Sequence, residues 1–152
     1  MPHKELLRNV GLFKDLDDSL LDKFAAITEE KNYESGETIL DEGVEGDALY
    51  IIEEGQVEVT KTEDETASTI VTLEVNEHFG EMSLLEGLPT SARVSADGQV
   101  KLLVIPRLKF ISLLDENEAI GAKVYRALAY ALSHRLRSTS ADLATWKPSF
   151  DF

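Results

Sequence analysis

Apolar residues recur at two different periods along this chain. Near the start, Leu16, Leu20, Leu21 and Phe24 fall at helical spacing, and Asp17 and Asp18 stand as caps before SLLDKFA. The stretch LLRNVGLFKDLDDSLLDKFAAI therefore predicts a short helix pair. From Tyr33 to Pro106 the pattern changes to runs of strand-forming residues broken by glycine: ETIL, ALYIIEE, QVEVT, TIVTLEV, ARVSA and KLLVIP. These predict an all-β region of about eight short strands. Glu54 and Gly55, between YIIE and QVEV, predict a hairpin turn, and the acidic TEDETA at 62–67 an exposed hairpin loop. After Pro106 the helical period returns. RLKFISLLDEN predicts one helix and AIGAKVYRALAYALSHRLRSTSADLATW a longer one, on which Ile120, Val124, Leu128, Leu132, Leu136 and Leu143 form a stripe flanked by Tyr130 and Ala131. That stripe packs either on its own domain or, in its C-terminal part, on the same helix of a second chain.

Composition narrows the function classes. With 152 residues and 43% hydrophobic content the chain can bury one sizeable core, so a single domain with appended helices is expected. Its parts are an N-terminal helical segment at 1–32, the strands at 33–106, the C-terminal helices at 107–146 and a tail at 147–152. Twenty-nine acidic residues against 15 basic ones give a net charge of −14. This argues against sequence-independent binding to nucleic acid or to an anionic membrane, both of which need a positive surface. The absence of cysteine excludes disulfides, thiol nucleophiles and thiolate metal sites, and fits a reducing compartment. No apolar run approaches the roughly 18 residues of a membrane span, and the N-terminus lacks the apolar core of a secretion signal, so a cytoplasmic protein is expected.

The candidate chemistry lies in HFGEMSLLEGLPTSARVSA at 78–96. Gly80 and Glu81 open a short apolar segment that closes on Pro89 and runs to Arg93. Backbone N–H groups at the start of a short helix suit an anion, and a carboxylate suits a hydroxyl. The glycines also fall in a particular order, with Ser35-Gly36-Glu37, Gly43, Gly46-Asp47, Gly55 and Gly80-Glu81 each placed between strands. Taken together, SGETILDEGVEGDALYIIEEGQVEVT followed by HFGEMSLLEG resembles the cyclic nucleotide-binding domain, the family shared by bacterial cAMP receptor proteins, kinase regulatory subunits and gated channels. The resemblance runs from about Leu6 to Leu143.

The resemblance implies a mainly β fold with flanking helices: a jelly-roll β-roll with N-terminal helices, a short helix inside a phosphate-binding cassette at 79–94, and two C-terminal helices. It also implies roles. Glu81 matches the glutamate that takes the ribose 2′-hydroxyl, Gly80 and Met82 match the flanking backbone, and Ser91 and Ala92 match the small pair after the family's phosphate-binding arginine. Thr90 stands where that arginine belongs. Losing a charge-assisted bond to phosphate costs about 2 to 3 kcal/mol, one to two orders of magnitude in affinity. Arg93, three residues on in an extended strand, faces the other way and is expected on the surface or in a salt bridge. In SHRLRSTSADL the resemblance to bacterial cAMP receptors places Thr139 and Ser140 at the base and pairs Arg135 with Glu81; alternatively these residues are a helix end of weak propensity.

Two functions follow as expectations. One is a regulatory ligand-binding module for cAMP or cGMP, signalling by movement of the C-terminal helix, which also makes a homodimer and reaches a protein partner not identified by the sequence. The other is a degenerate domain that binds no cyclic nucleotide and serves in dimerisation or docking. The family's transcription regulators continue into a helix-turn-helix, whereas this chain ends nine residues after Leu143, so direct DNA binding is not expected; the chain is a stand-alone sensor or one domain of something larger. Catalysis is not expected either. His3, His78 and His134 are scattered, which argues against a multi-histidine metal site, and no nucleophile or paired carboxylate stands at suitable spacing near Glu81.

Overall fold

The computed structural model describes residues 2–63, 66–81, 89–90 and 92–143, and among these leaves undescribed the side chains of 2, 62–70, 135, 136 and 138–143. Helix α1 (Pro2–Arg8), a 3-10 turn (Gly11–Phe13) and helix α2 (Asp18–Ala26) precede the sheet. Asp17 caps α2 by accepting from the Leu20 N–H at 3.0 Å, as its placement before an apolar run predicts. The strands are β1 (Glu29–Tyr33), β2 (Thr38–Leu40), β3 (Ala48–Glu63), β4 (Thr66–Leu73), β5 (His78–Phe79) and β6 (Arg93–Pro106). They form one antiparallel sheet in the order β1-β6-β3-β4, with β2 also on β6 and β5 also on β3. Helices α3 (Arg107–Glu116) and α4 (Glu118–Leu143) follow. They break at Asn117, whose side-chain oxygen accepts the Ala119 N–H at 2.8 Å and so caps α4.

Six strands among the described residues replace the eight predicted, because two glycine interruptions do not end their strands. The expected hairpin at Glu54-Gly55 is instead an irregularity within the 16-residue β3, where the register with β6 shifts on either side of Glu54. Gly55 takes φ 88°, and a Cβ there would strike the Gln99 carbonyl of β6. The glycine is needed for close passage of two strands rather than for a chain reversal. The hairpin predicted around TEDETA does form between β3 and β4, with Glu63 paired to Thr66; residues 64 and 65 lie outside the described residues.

The apolar runs of β3 and β6 are buried on both faces, which separates two cores. Leu49, Ile51, Leu103 and Ile105 point towards the helices and pack with Leu7, Phe13, Phe24 and Phe110. Phe24 joins Phe13 at 5.0 Å and Phe110 at 5.8 Å between ring centroids, tying the N-terminal helices to α3. The alternate residues Tyr50, Ile52, Leu102 and Val104 line the inside of the roll with Leu40, Val57, Phe79 and Val94. Ile120, Val124 and Leu128 of α4 enter the helix-side core, so the first half of the predicted stripe packs on its own domain. Leu132 is half-buried, and the side chains of Leu136 and Leu143 are not described. No helix among the described residues is long and apolar enough to cross a membrane.

Candidate functional site

The site begins where the inner core ends. Phe79 pairs with Tyr50 across β5 and β3 and stacks on it, with centroids 4.9 Å apart and rings within 4° of parallel. Burial, reinforced by Asp47, pushes the Tyr50 phenol up to about 12, so it stays protonated. Gly80 then turns the chain at φ 90°, pressed against the Ala48 carbonyl. The turn carries Glu81 inward, where it is 3% exposed, and its Oε2 lies 3.3 Å from Nδ1 of His78, itself 6% exposed. An almost fully buried carboxylate beside an apolar core can accept hydrogen bonds from hydroxyl groups strongly, because water competes little for it.

The far end of the segment is fastened differently. Pro89 bridges to Glu45, the Thr90 N–H donates to the Val44 carbonyl at 2.8 Å, and the Gly43 N–H donates to the Thr90 carbonyl at 2.9 Å. The Thr90 hydroxyl donates to the Asp41 carbonyl. Arg93 donates through Nε to Asp41 Oδ1 at 3.0 Å, and both side chains are about half exposed. This guanidinium, with the Glu42 N–H, holds the Asp41 carboxyl below the usual carboxylate range. The salt bridge expected of Arg93 is thus present.

Of the residues singled out in the sequence, Gly80 and Glu81 stand together just after β5, and Thr90 and Ala92 stand half-buried at the other end of the segment. Met82 and Ser91, and the expected cassette helix beyond Glu81, lie outside the described residues. Arg135, Thr139 and Ser140 fall on α4, but their side chains are not described, so their roles rest on the resemblance. The sequence reading missed His78 as a site residue. Its one signal is the order His-Phe-Gly-Glu, in which a glycine bend lets residues three apart meet. Among the described residues no group of three or more metal-ligating side chains comes together.

A family model described as the cyclic nucleotide-binding domain matches residues 30–117, more than half of the chain. Among curated proteins, the chain is 33% identical over 108 residues to a cAMP-dependent protein kinase regulatory subunit of Yarrowia lipolytica, a match that covers 71% of this chain and 28% of that protein. The chain thus spans about a quarter of that relative's length. Among solved structures, the Thermus thermophilus catabolite activator protein is 29% identical with a TM-score of 0.77, covering 89% of this chain and 62% of that one. The regulatory subunit of a cAMP-independent protein kinase A from Trypanosoma brucei is 26% identical with a TM-score of 0.73, covering 84% and 44% of the two chains. The form in that structure is a triple mutant, with a glutamate changed to alanine, a threonine to arginine and a valine to alanine, bound to cAMP in its A site.

Proposed function

This chain belongs to the cyclic nucleotide-binding domain family, and from that premise we propose that it is a non-catalytic regulatory module that binds a cyclic purine nucleotide, cAMP or cGMP, with Glu81 on the ribose hydroxyl. The observation that carries this reading is the burial of Glu81 at 3% exposure, directly after the left-handed turn at Gly80. A carboxylate is desolvated at such a site only at a cost, and a ligand hydroxyl offsets that cost. The phosphate end is the weak end, because Thr90 supplies a hydroxyl already donated to Asp41 where the resemblance places an arginine. The Trypanosoma brucei protein, described as cAMP-independent, is seen with cAMP in a triple mutant that gains an arginine for a threonine and also exchanges a glutamate and a valine for alanine, which supports the reading that an arginine strengthens the phosphate end.

Signal output is assigned to α4. Its first half is fixed in the helix-side core through Ile120, Val124 and Leu128, so a ligand that also engages the far half would shift the equilibrium of that half alone. The same far half is the proposed surface for a homodimer and for a protein partner, and Leu132→Asp is expected to weaken the dimer in sedimentation measurements. The test of the ligand reading is isothermal titration of cAMP and cGMP into the protein, its Thr90→Arg variant, and Glu81→Ala in both backgrounds. Thr90→Arg is expected to bind about 10 to 100 times more tightly than the parent, and Glu81→Ala to lose at least about tenfold of that. Unchanged affinity in Glu81→Ala would falsify the assignment of Glu81. A second reading, a docking domain without nucleotide, is favoured by one observation: Thr90 is engaged with the Asp41–Val44 turn through both backbone and side chain. It predicts no saturable heat from the parent or from Thr90→Arg.

A further inference from the structure

His78 is a buried polar side chain that the ribose reading leaves without a task. It stands on β5 opposite Ile51, is 6% exposed, and comes within ion-pair distance of Glu81 Oε2, at 3.3 Å. Residues three apart on a regular strand face opposite sides, and the turn at Gly80, φ 90°, is what brings these two together. Each is expensive to bury without a polar neighbour. We propose that His78 is a positioning residue of the ligand site: its ring, fixed on β5, holds the Glu81 carboxylate in one orientation, ready for a ligand hydroxyl. The proposal rests on the ribose reading of Glu81.

Isothermal titration of cAMP into the Thr90→Arg protein, with and without changes at His78, tests this. His78→Phe should lose about tenfold in affinity, the size of one charge-assisted contact. His78→Asn, which keeps a side-chain donor, should recover part of that loss. The effect of either change should vanish when Glu81→Ala is also present, since there is then no carboxylate to position. Unchanged affinity in His78→Phe, or the same loss with and without Glu81, overturns the positioning role while leaving the ribose reading intact. Absence of binding in every variant, with the proteins folded, overturns the ribose reading and this assignment with it. If His78→Phe fails to fold, His78→Asn and its double variant with Glu81→Ala decide.

Discussion

The two ends of the segment from Phe79 to Arg93 are anchored by different physics. The leading end belongs to the core: Phe79 stacks on Tyr50, Gly80 presses on the Ala48 carbonyl, and Glu81 lies buried beside His78. The trailing end belongs to the surface, where Thr90 and Arg93 both bond to Asp41. Disturbing one partner of a buried charged pair is costly, whereas exposed pairs are cheap to make and to lose. Glu81, proposed to take the ligand hydroxyl, stands at the end where change is expensive. Thr90, where the resemblance places an arginine, stands at the end where it is cheap. The difference teaches that, on the proposed reading, hydroxyl recognition would be part of the fold's own packing, and anion recognition a surface property that one substitution can alter.

The hardest test of this contrast is Gly80→Ala. A Cβ at Gly80 would lie 2.7 Å from the Ala48 carbonyl oxygen and 3.3 Å from Tyr50 Cδ2, on a backbone at φ 90°. Left-handed strain and overpacking together cost about 3 kcal/mol. For a domain of this size that lowers the melting temperature by roughly 6 to 12 °C. Thermal unfolding followed by circular dichroism measures it, and a melting temperature within about 2 °C of the parent would mean that the leading end is not rigid.

A smaller effect is expected at the trailing end from Thr90→Val. The substitution removes the hydroxyl donated to the Asp41 carbonyl and leaves the backbone bonds to Gly43 and Val44 in place. The expected loss is about 1 kcal/mol, or roughly 2 to 4 °C in the same measurement. It should bring no gain in nucleotide affinity. A gain equal to that of Thr90→Arg would mean that the threonine obstructs the site rather than lacking a charge, and the comparison of the two ends would then turn on shape.

Much of this architecture is legible in the sequence because periodicity is a local property. The helices follow from runs such as Ile120, Val124 and Leu128, and the strands from ALYII and KLLVIP, whose unbroken apolar character also reflects burial on both faces. Gly55 shows where legibility stops. A glycine at positive φ serves a hairpin or a bulge equally well, and what decides is the carbonyl of Gln99, 44 residues away in sequence, passing over it. Glu81 is singled out in the sequence by the glycine before it and by the resemblance, and the structure shows it buried. The His78 contact is not legible, because a single histidine has no period, and the bend that delivers Glu81 to it is set by the packing of Gly80 on Ala48. The Thr90 hydroxyl was equally hidden, since its acceptor lies 49 residues back on another turn.

The smallest expected effect sharpens the surface half of the comparison. Arg93, aided by the Glu42 N–H at 2.9 Å, holds the Asp41 carboxyl below its ordinary range. A carboxyl with a depressed folded-state value contributes stability above its unfolded value, about 3.9 for aspartate, and the contribution is lost as pH falls through the depressed one. Arg93→Gln is therefore expected to melt slightly below the parent at pH 7 in low salt. The gap should close as pH is lowered below about 4, and also in about 1 M salt, where the Debye length shrinks to about 3 Å. Some depression should persist in the variant, because the Glu42 N–H bond does not depend on Arg93. Melting curves of the two proteins from pH 7 to pH 3 decide it. A gap that stays constant across that range would mean that Arg93 acts through packing, not charge. No gap at pH 7 would mean that the Asp41 pair does not restrain Arg93 in solution, leaving its guanidinium available to an anionic ligand and making the trailing end a functional half-site after all.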